Sequence, residues 1–135
     1  MNKIEHIGIA VKNLSQANEN YAKLLGTPHY KTEKVTSESV ETSFFQIGES
    51  KIELLQATST ESAIHKFLEK KGEGIHHIAF AVENIEKEIE RLKAEGFQPI
   101  SDQPKRGADN KLVFFFHPKS ANGVLIELCQ EISAS

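Results

Sequence analysis

The stretch Ile4-Glu5-His6-Ile7-Gly8-Ile9-Ala10-Val11-Lys12-Asn13-Leu14 recurs without a gap as Ile75-His76-His77-Ile78-Ala79-Phe80-Ala81-Val82-Glu83-Asn84-Ile85. Self-similarity of this kind marks a repeated supersecondary unit whose copies bury their apolar faces together. A chain of 135 residues has room for one ordinary domain and not for two independent ones. The copies are therefore expected to be halves of a single domain over residues 1–135, spanning about 1–58 and 74–131.

Each copy runs from a strand into a helical pattern. In the first, Leu14, Ala17, Tyr21, Leu24 and Leu25 keep helical spacing, with Ser15 as the expected cap and Gly26 as the stop; in the second, Ile85, Ile89 and Leu92 do so, and Gly96 ends the run. Val40 to Ile47, a turn at Gly48-Glu49-Ser50, and Lys51 to Leu55 read as a hairpin. Lys111 to Phe116, a longer turn through Pro118 and Gly123, and Val124 to Leu128 read as its counterpart. Short strands near His29 to Val35 and Phe97 to Ile100 complete a βαβββ order twice, and Glu61 to Lys71, with Ile64, Phe67 and Leu68 on one face, reads as a linking helix. The fold class is α+β: two βαβββ modules whose helices cover one side of paired mixed sheets, the other side forming a cup.

Side chains alternate along a strand, so His6, Gly8 and Ala10 share one face while the bulky Ile7, Ile9 and Val11 share the helix face. His77, Ala79 and Ala81 match the first set, which selects His77 over His76. The same alternation sets Glu53 and Glu127 opposite the apolar Ile52/Leu54 and Ile126/Leu128. Carboxylates inside such strands are costly to bury unless paired, hydrogen-bonded or bound to a cation. Two imidazoles and two carboxylates at matched positions suit Zn²⁺, Co²⁺, Mn²⁺, Ni²⁺ or Fe²⁺ and leave coordination positions for substrate. Alternation sends Phe115 opposite to Phe114 and Phe116, reads Cys129 on the Glu127 face as a small packing residue rather than a thiolate ligand, and leaves His117 as a turn residue and His29 and His65 on the surface.

Composition narrows the classes. A net charge of −3 with 39% hydrophobic and 26% charged residues is the balance of a globular protein and gives no basic footprint for nucleic acid. No apolar run approaches membrane length, no signal-peptide pattern opens the chain, and the single cysteine fits a reducing compartment, so a cytoplasmic protein with no membrane partner is expected.

These residues resemble the vicinal oxygen chelate superfamily over nearly the whole chain, and within it the methylmalonyl-CoA epimerase family. The most specific segment is His117-Pro118-Lys119-Ser120-Ala121-Asn122-Gly123-Val124-Leu125-Ile126-Glu127-Leu128, supported by Gly74 to Phe80 and Ile4 to Ile7. The resemblance implies metal ligands at His6, His77 and Glu127, and a fourth at Glu53, where the family can carry glutamine; Glu53 is either a direct or a water-bridged ligand. It implies a divalent ion (Co, Mn, Zn or Ni), methylmalonyl-CoA as substrate, and interconversion of its (R) and (S) forms by proton transfer at C2 through an enolate. It further implies Glu41 as one base, the alternation of Glu41, Ser43 and Phe45 letting it point into the cup, and Glu127 as the second acid–base group. Lys105, Arg106, Lys111 and Lys119 are candidates for the CoA phosphates, and a homodimer is expected. The same fold serves a glyoxalase I-like lactoylglutathione lyase, extradiol dioxygenases, generally longer, and non-catalytic drug-binding proteins; the His117 to Leu128 segment and Glu41 favour the epimerase.

Overall fold

The strands and helices of the repeat form as the patterning requires in a computed structural model that describes residues 1–132. The chain divides into two compact units, one from His6 to His76, the other made of Met1–Glu5 with the chain from His77 onward. Two strands are thereby shared out: the opening residues of β1 (Lys3–Ala10) belong to the second unit, and those of β5 (Gly74–Ala81) to the first.

In the first unit β1 leads through α1 (Leu14–Leu25) to β2 (Lys31–Val35), β3 (Val40–Ile47) and β4 (Ser50–Ala57), in the sheet order β2-β3-β4-β1. β2, β3 and β4 are antiparallel neighbours, whereas β4 runs parallel to β1, a pairing that needs the α1 crossover. Phe45, Leu54, Val11 and Leu14 are buried together, with Ile9, Ile52, Ala17, Tyr21 and Leu25 packed on them, so this sheet face is covered by α1. The opposite face is partly covered by α2 (Ala63–Lys71), whose Ile64, Phe67 and Leu68 meet Ala10, Leu55 and Val40.

The second unit repeats the order with β5, α3 (Ile85–Ala94), β6 (Lys105–Arg106), β7 (Lys111–Phe116) and β8 (Ile126–Glu131), as β5-β8-β7-β6. Val82, Ile85, Ile89, Leu92, Phe114, Phe116 and Leu128 form its helix-side core. Full burial of each such large side chain is worth about 1.5–3 kcal/mol. The α+β class and the doubled βαβββ order agree with expectation.

Three local expectations are corrected. The cap of α1 is Asn13, whose Oδ1 accepts from Gln16 N–H at 2.9 Å, and not Ser15; Asn84 does the same for α3, accepting from Lys87 N–H at 3.1 Å. Asparagine reaches back to the first-turn donors from an extended backbone, which both residues have. The strand foreseen near Phe97–Ile100 is reduced to a bridge between Pro99 and Phe116, because proline has no N–H to give a ladder; Lys105–Arg106 supplies the edge strand instead. The β3–β4 turn has two residues between paired ends, Ile47 lying opposite Ser50.

No helix among the described residues is long and apolar enough to cross a membrane.

Candidate metal centre

Within each unit, the parallel pairing of the first and last strands sets the site residues. Gly8 lies opposite Glu53 in one and Ala79 opposite Glu127 in the other, so each glutamate stands beside the residue two past its histidine, where a small side chain leaves space. His6 Nδ1 lies 3.1 Å from Glu53 Oε2, and His77 Nε2 lies 2.9 Å from Glu127 Oε1. All four residues are buried. Two ligand atoms each about 2.1 Å from one ion stand about 3.0 Å apart when they subtend a right angle, so both spacings suit cis ligands of a divalent ion. His6, His77 and Glu127 each offer a ligand atom, and nitrogen and oxygen donors without a closed thiolate set fit the borderline and hard divalent metals.

The surroundings hold these groups in place. Cys129 Sγ–H donates to Glu127 Oε2 at 3.4 Å while packing with Ala79, Val113 and Phe115, which is the small buried role read from the sequence. Phe115 meets the His77 ring edge-on at 5.9 Å between centroids, whereas Phe114 and Phe116 point into the α3 core. His117 caps the short turn Pro118–Ala121, its Nδ1 accepting from Lys119 N–H at 3.1 Å.

Glu41 does not share the Glu53 face. In the β3–β4 ladder it lies opposite Gln56, while Phe44 lies opposite Glu53. Directly opposed residues project to the same side. Gln56 Oε1 accepts from Leu14 N–H at 2.5 Å, which fixes that side as the α1 face. The expectation that Glu41 points beside the metal ligands is thus overturned, and the reason is the turn. A one-residue change in loop length flips every side chain of a strand to the other face, and the turn is one residue shorter than the Gly48-Glu49-Ser50 reading.

Of the cationic candidates, Lys105 lies opposite Val113, and Lys111 opposite Glu131, on the face that carries Glu127. Arg106 lies opposite Leu112 on the α3 side, and Lys119 is exposed in the β7–β8 connection, so the four do not form one cluster.

Sequence reading passed over the two glutamines that lock this arrangement. Gln130 Oε1 accepts from Ile85 N–H at 2.7 Å, as Gln56 does from Leu14. Each stands three residues after its glutamate, an odd spacing that sends Glu to one face and Gln to the helix on the other. The repeated Glu-Leu-x-Gln was the available signal.

Comparison with known proteins agrees with this architecture. Residues 5–116 match the Glyoxalase/Bleomycin resistance protein/Dioxygenase superfamily. The chain is 40% identical over 130 residues to the uncharacterized protein YqjC of Bacillus subtilis, covering 96% of this chain and 93% of that one. It is 39% identical over 130 residues to an ethylmalonyl-CoA/methylmalonyl-CoA epimerase of Cereibacter sphaeroides, covering 95% and 97%. A single-residue variant of Streptomyces coelicolor methylmalonyl-CoA epimerase, solved in complex with 2-nitronate-propionyl-CoA, superposes with a TM-score of 0.93 at 33% identity, covering 98% of this chain and 99% of that one. With a doubled βαβββ order, a buried His–Glu pair in each half and matches of this extent, the chain belongs to the glyoxalase/bleomycin resistance protein/dioxygenase superfamily.

Proposed function

We propose that this chain is a methylmalonyl-CoA epimerase, interconverting the (R) and (S) forms by proton transfer at C2, with His6, Glu53, His77 and Glu127 as the ligands of one divalent ion (Co, Mn, Zn or Ni). The observation that carries the reading is the buried imidazole–carboxylate pair repeated at matched registers, 3.1 Å in one half and 2.9 Å in the other, in a chain whose relatives include epimerases. Bound there, the ion supplies Lewis-acid stabilisation of the negative charge that develops on the thioester and carboxylate oxygens as C2 loses its proton.

The protein's own part is to orient and to move protons. Inverting a carbon centre needs an acid–base group on each side of the planar intermediate. Glu127, with Oε1 held beside His77 Nε2 and Oε2 taking the Cys129 thiol, is assigned to one side. Glu53, its counterpart in the first half, is assigned to the other in place of Glu41. Phe115, Ala79 and Val113 line the Glu127 side with apolar surface, which strengthens charge–dipole interactions there. Lys105 and Lys111 are the preferred contacts for the CoA phosphates, since both share the Glu127 face. The enzyme works in the cytoplasm as one domain, and a homodimer is the expected assembly.

Incubating metal-loaded protein with (S)-methylmalonyl-CoA in D₂O tests this. Deuterium at C2 and racemisation are expected. Absence of exchange, together with turnover of a methylglyoxal–glutathione adduct, would replace the epimerase by a glyoxalase.

A further inference from the structure

Thr42, the third residue of β3, is 1% exposed, and its Oγ1 has no hydrogen-bond partner among the described residues. Burying a hydroxyl without a partner is costly, and natural structures retain such a group seldom and usually for a use. Its direction is fixed by pairing. Thr42 stands opposite Leu55, and Leu55 opposite Ala10, one row along from the row Phe44, Glu53, Gly8. Thr42 is therefore a diagonal neighbour of Glu53 on the same sheet face, about 7–8 Å away by the geometry of antiparallel ladders. That separation is too long for a direct contact and right for one substrate group between them. The row of Thr42 runs Glu33, Thr42, Leu55, Ala10: Glu33 on β2 carries a carboxylate, while Leu55 and Ala10, on which Ile64 of α2 packs, carry no polar side-chain atom.

Ser43, the next residue, makes the contrast. Its Oγ is also buried and without a partner among the described residues, but it stands opposite Leu54 in the α1 core, on the face away from Glu53. One orphaned hydroxyl shares the sheet face of Glu53 and the other lies in the α1 core.

We infer that Thr42 is a substrate-contacting residue, its Oγ1–H donating to an oxygen of the bound 2-carboxyacyl thioester whose other oxygens are held near Glu53. The inference rests on the epimerase reading and adds a specificity contact to it. Thr42→Val keeps the side-chain shape and removes the hydroxyl, so the free protein is expected to melt at an equal or higher temperature. In the C2-exchange assay kcat/KM is expected to fall about tenfold to hundredfold, while Thr42→Ser stays within about threefold of the parent chain. Ser43→Ala is expected to melt no lower than the parent and to exchange at the parent rate. A Thr42→Val protein with kcat/KM within about twofold of the parent overturns the inference and leaves the epimerase standing. So does a Thr42→Val protein that melts markedly lower, or a Thr42→Ser protein that loses as much activity as Thr42→Val. A parent chain with no exchange activity overturns both readings.

Discussion

Replacing Glu127 by Gln separates a metal ligand from a structural carboxylate, and the expected size can be worked out. Glu127 is 6% exposed, with His77 Nε2 2.9 Å from one oxygen and Cys129 Sγ 3.4 Å from the other. In metal-free protein the exchange removes a buried negative charge, relieving a desolvation cost of several kcal/mol. It also turns one acceptor oxygen into an NH₂ that cannot accept, at about 1–3 kcal/mol. The two effects oppose, and at about 4 °C per kcal/mol for a domain of this size the free variant should melt within several degrees of the parent. Metal changes the picture. At a free concentration a thousand times Kd, an ion that binds only the folded state stabilises the parent by about 4.1 kcal/mol, or about 15 °C. A ligand loss that weakens affinity about hundredfold leaves the variant at ten times its own Kd, worth about 1.4 kcal/mol or about 5 °C. Thermal melts with and without CoCl₂, at a concentration fixed from calorimetric titration of the parent, read both numbers. A variant that keeps the full metal-induced shift, or that collapses by more than about 10 °C without metal, refutes the argument.

Three more outcomes follow from the geometry. Glu41→Gln should retain the metal-induced melting shift and exchange deuterium at C2 within about threefold of the parent rate, since Glu41 faces α1; a loss of a hundredfold would restore it as a base. Gln130→Leu should cost about 1–3 kcal/mol in urea unfolding by orphaning Ile85 N–H, and Asn84→Ala about 1 kcal/mol by removing the α3 cap; midpoints unchanged from the parent would disprove the role given to each contact.

What the amino-acid order makes legible is governed by periodicity. The recurrence of Ile4–Leu14 at Ile75–Ile85 announces the doubled fold, and the alternation of His6 with Gly8 and Ala10 foretells the paired imidazoles and carboxylates, because within a strand parity alone decides the face. Relations across a turn are harder, since parity there depends on loop length. Gly48-Glu49 and Gly48-Glu49-Ser50 differ by one residue, and that residue decides whether Glu41 or Thr42 joins Glu53. The asparagine caps and the helix-locking glutamines stood in plain repeat but compete with nearby serines and charged residues that score as well by type. The edge strand at Lys105–Arg106 is too short to carry any pattern.

The division of β1 bears on how the chain is made. His6–His76 is continuous and can fold as soon as it has left the ribosome, with Gly74–His76 among the last of its residues to arrive. Met1–Glu5 emerge first yet belong with the chain from His77 onward, where Asn2 N–H donates to Ala81 O at 2.9 Å, so they wait for more than seventy further residues. At about 5–20 residues per second that interval is roughly 4–15 s. Throughout it the opening of β1, including the buried Glu5 of the finished protein, has no strand to join. Nascent chains stalled before β5 should therefore expose this segment to protease while α1 and the β3–β4 hairpin are already protected.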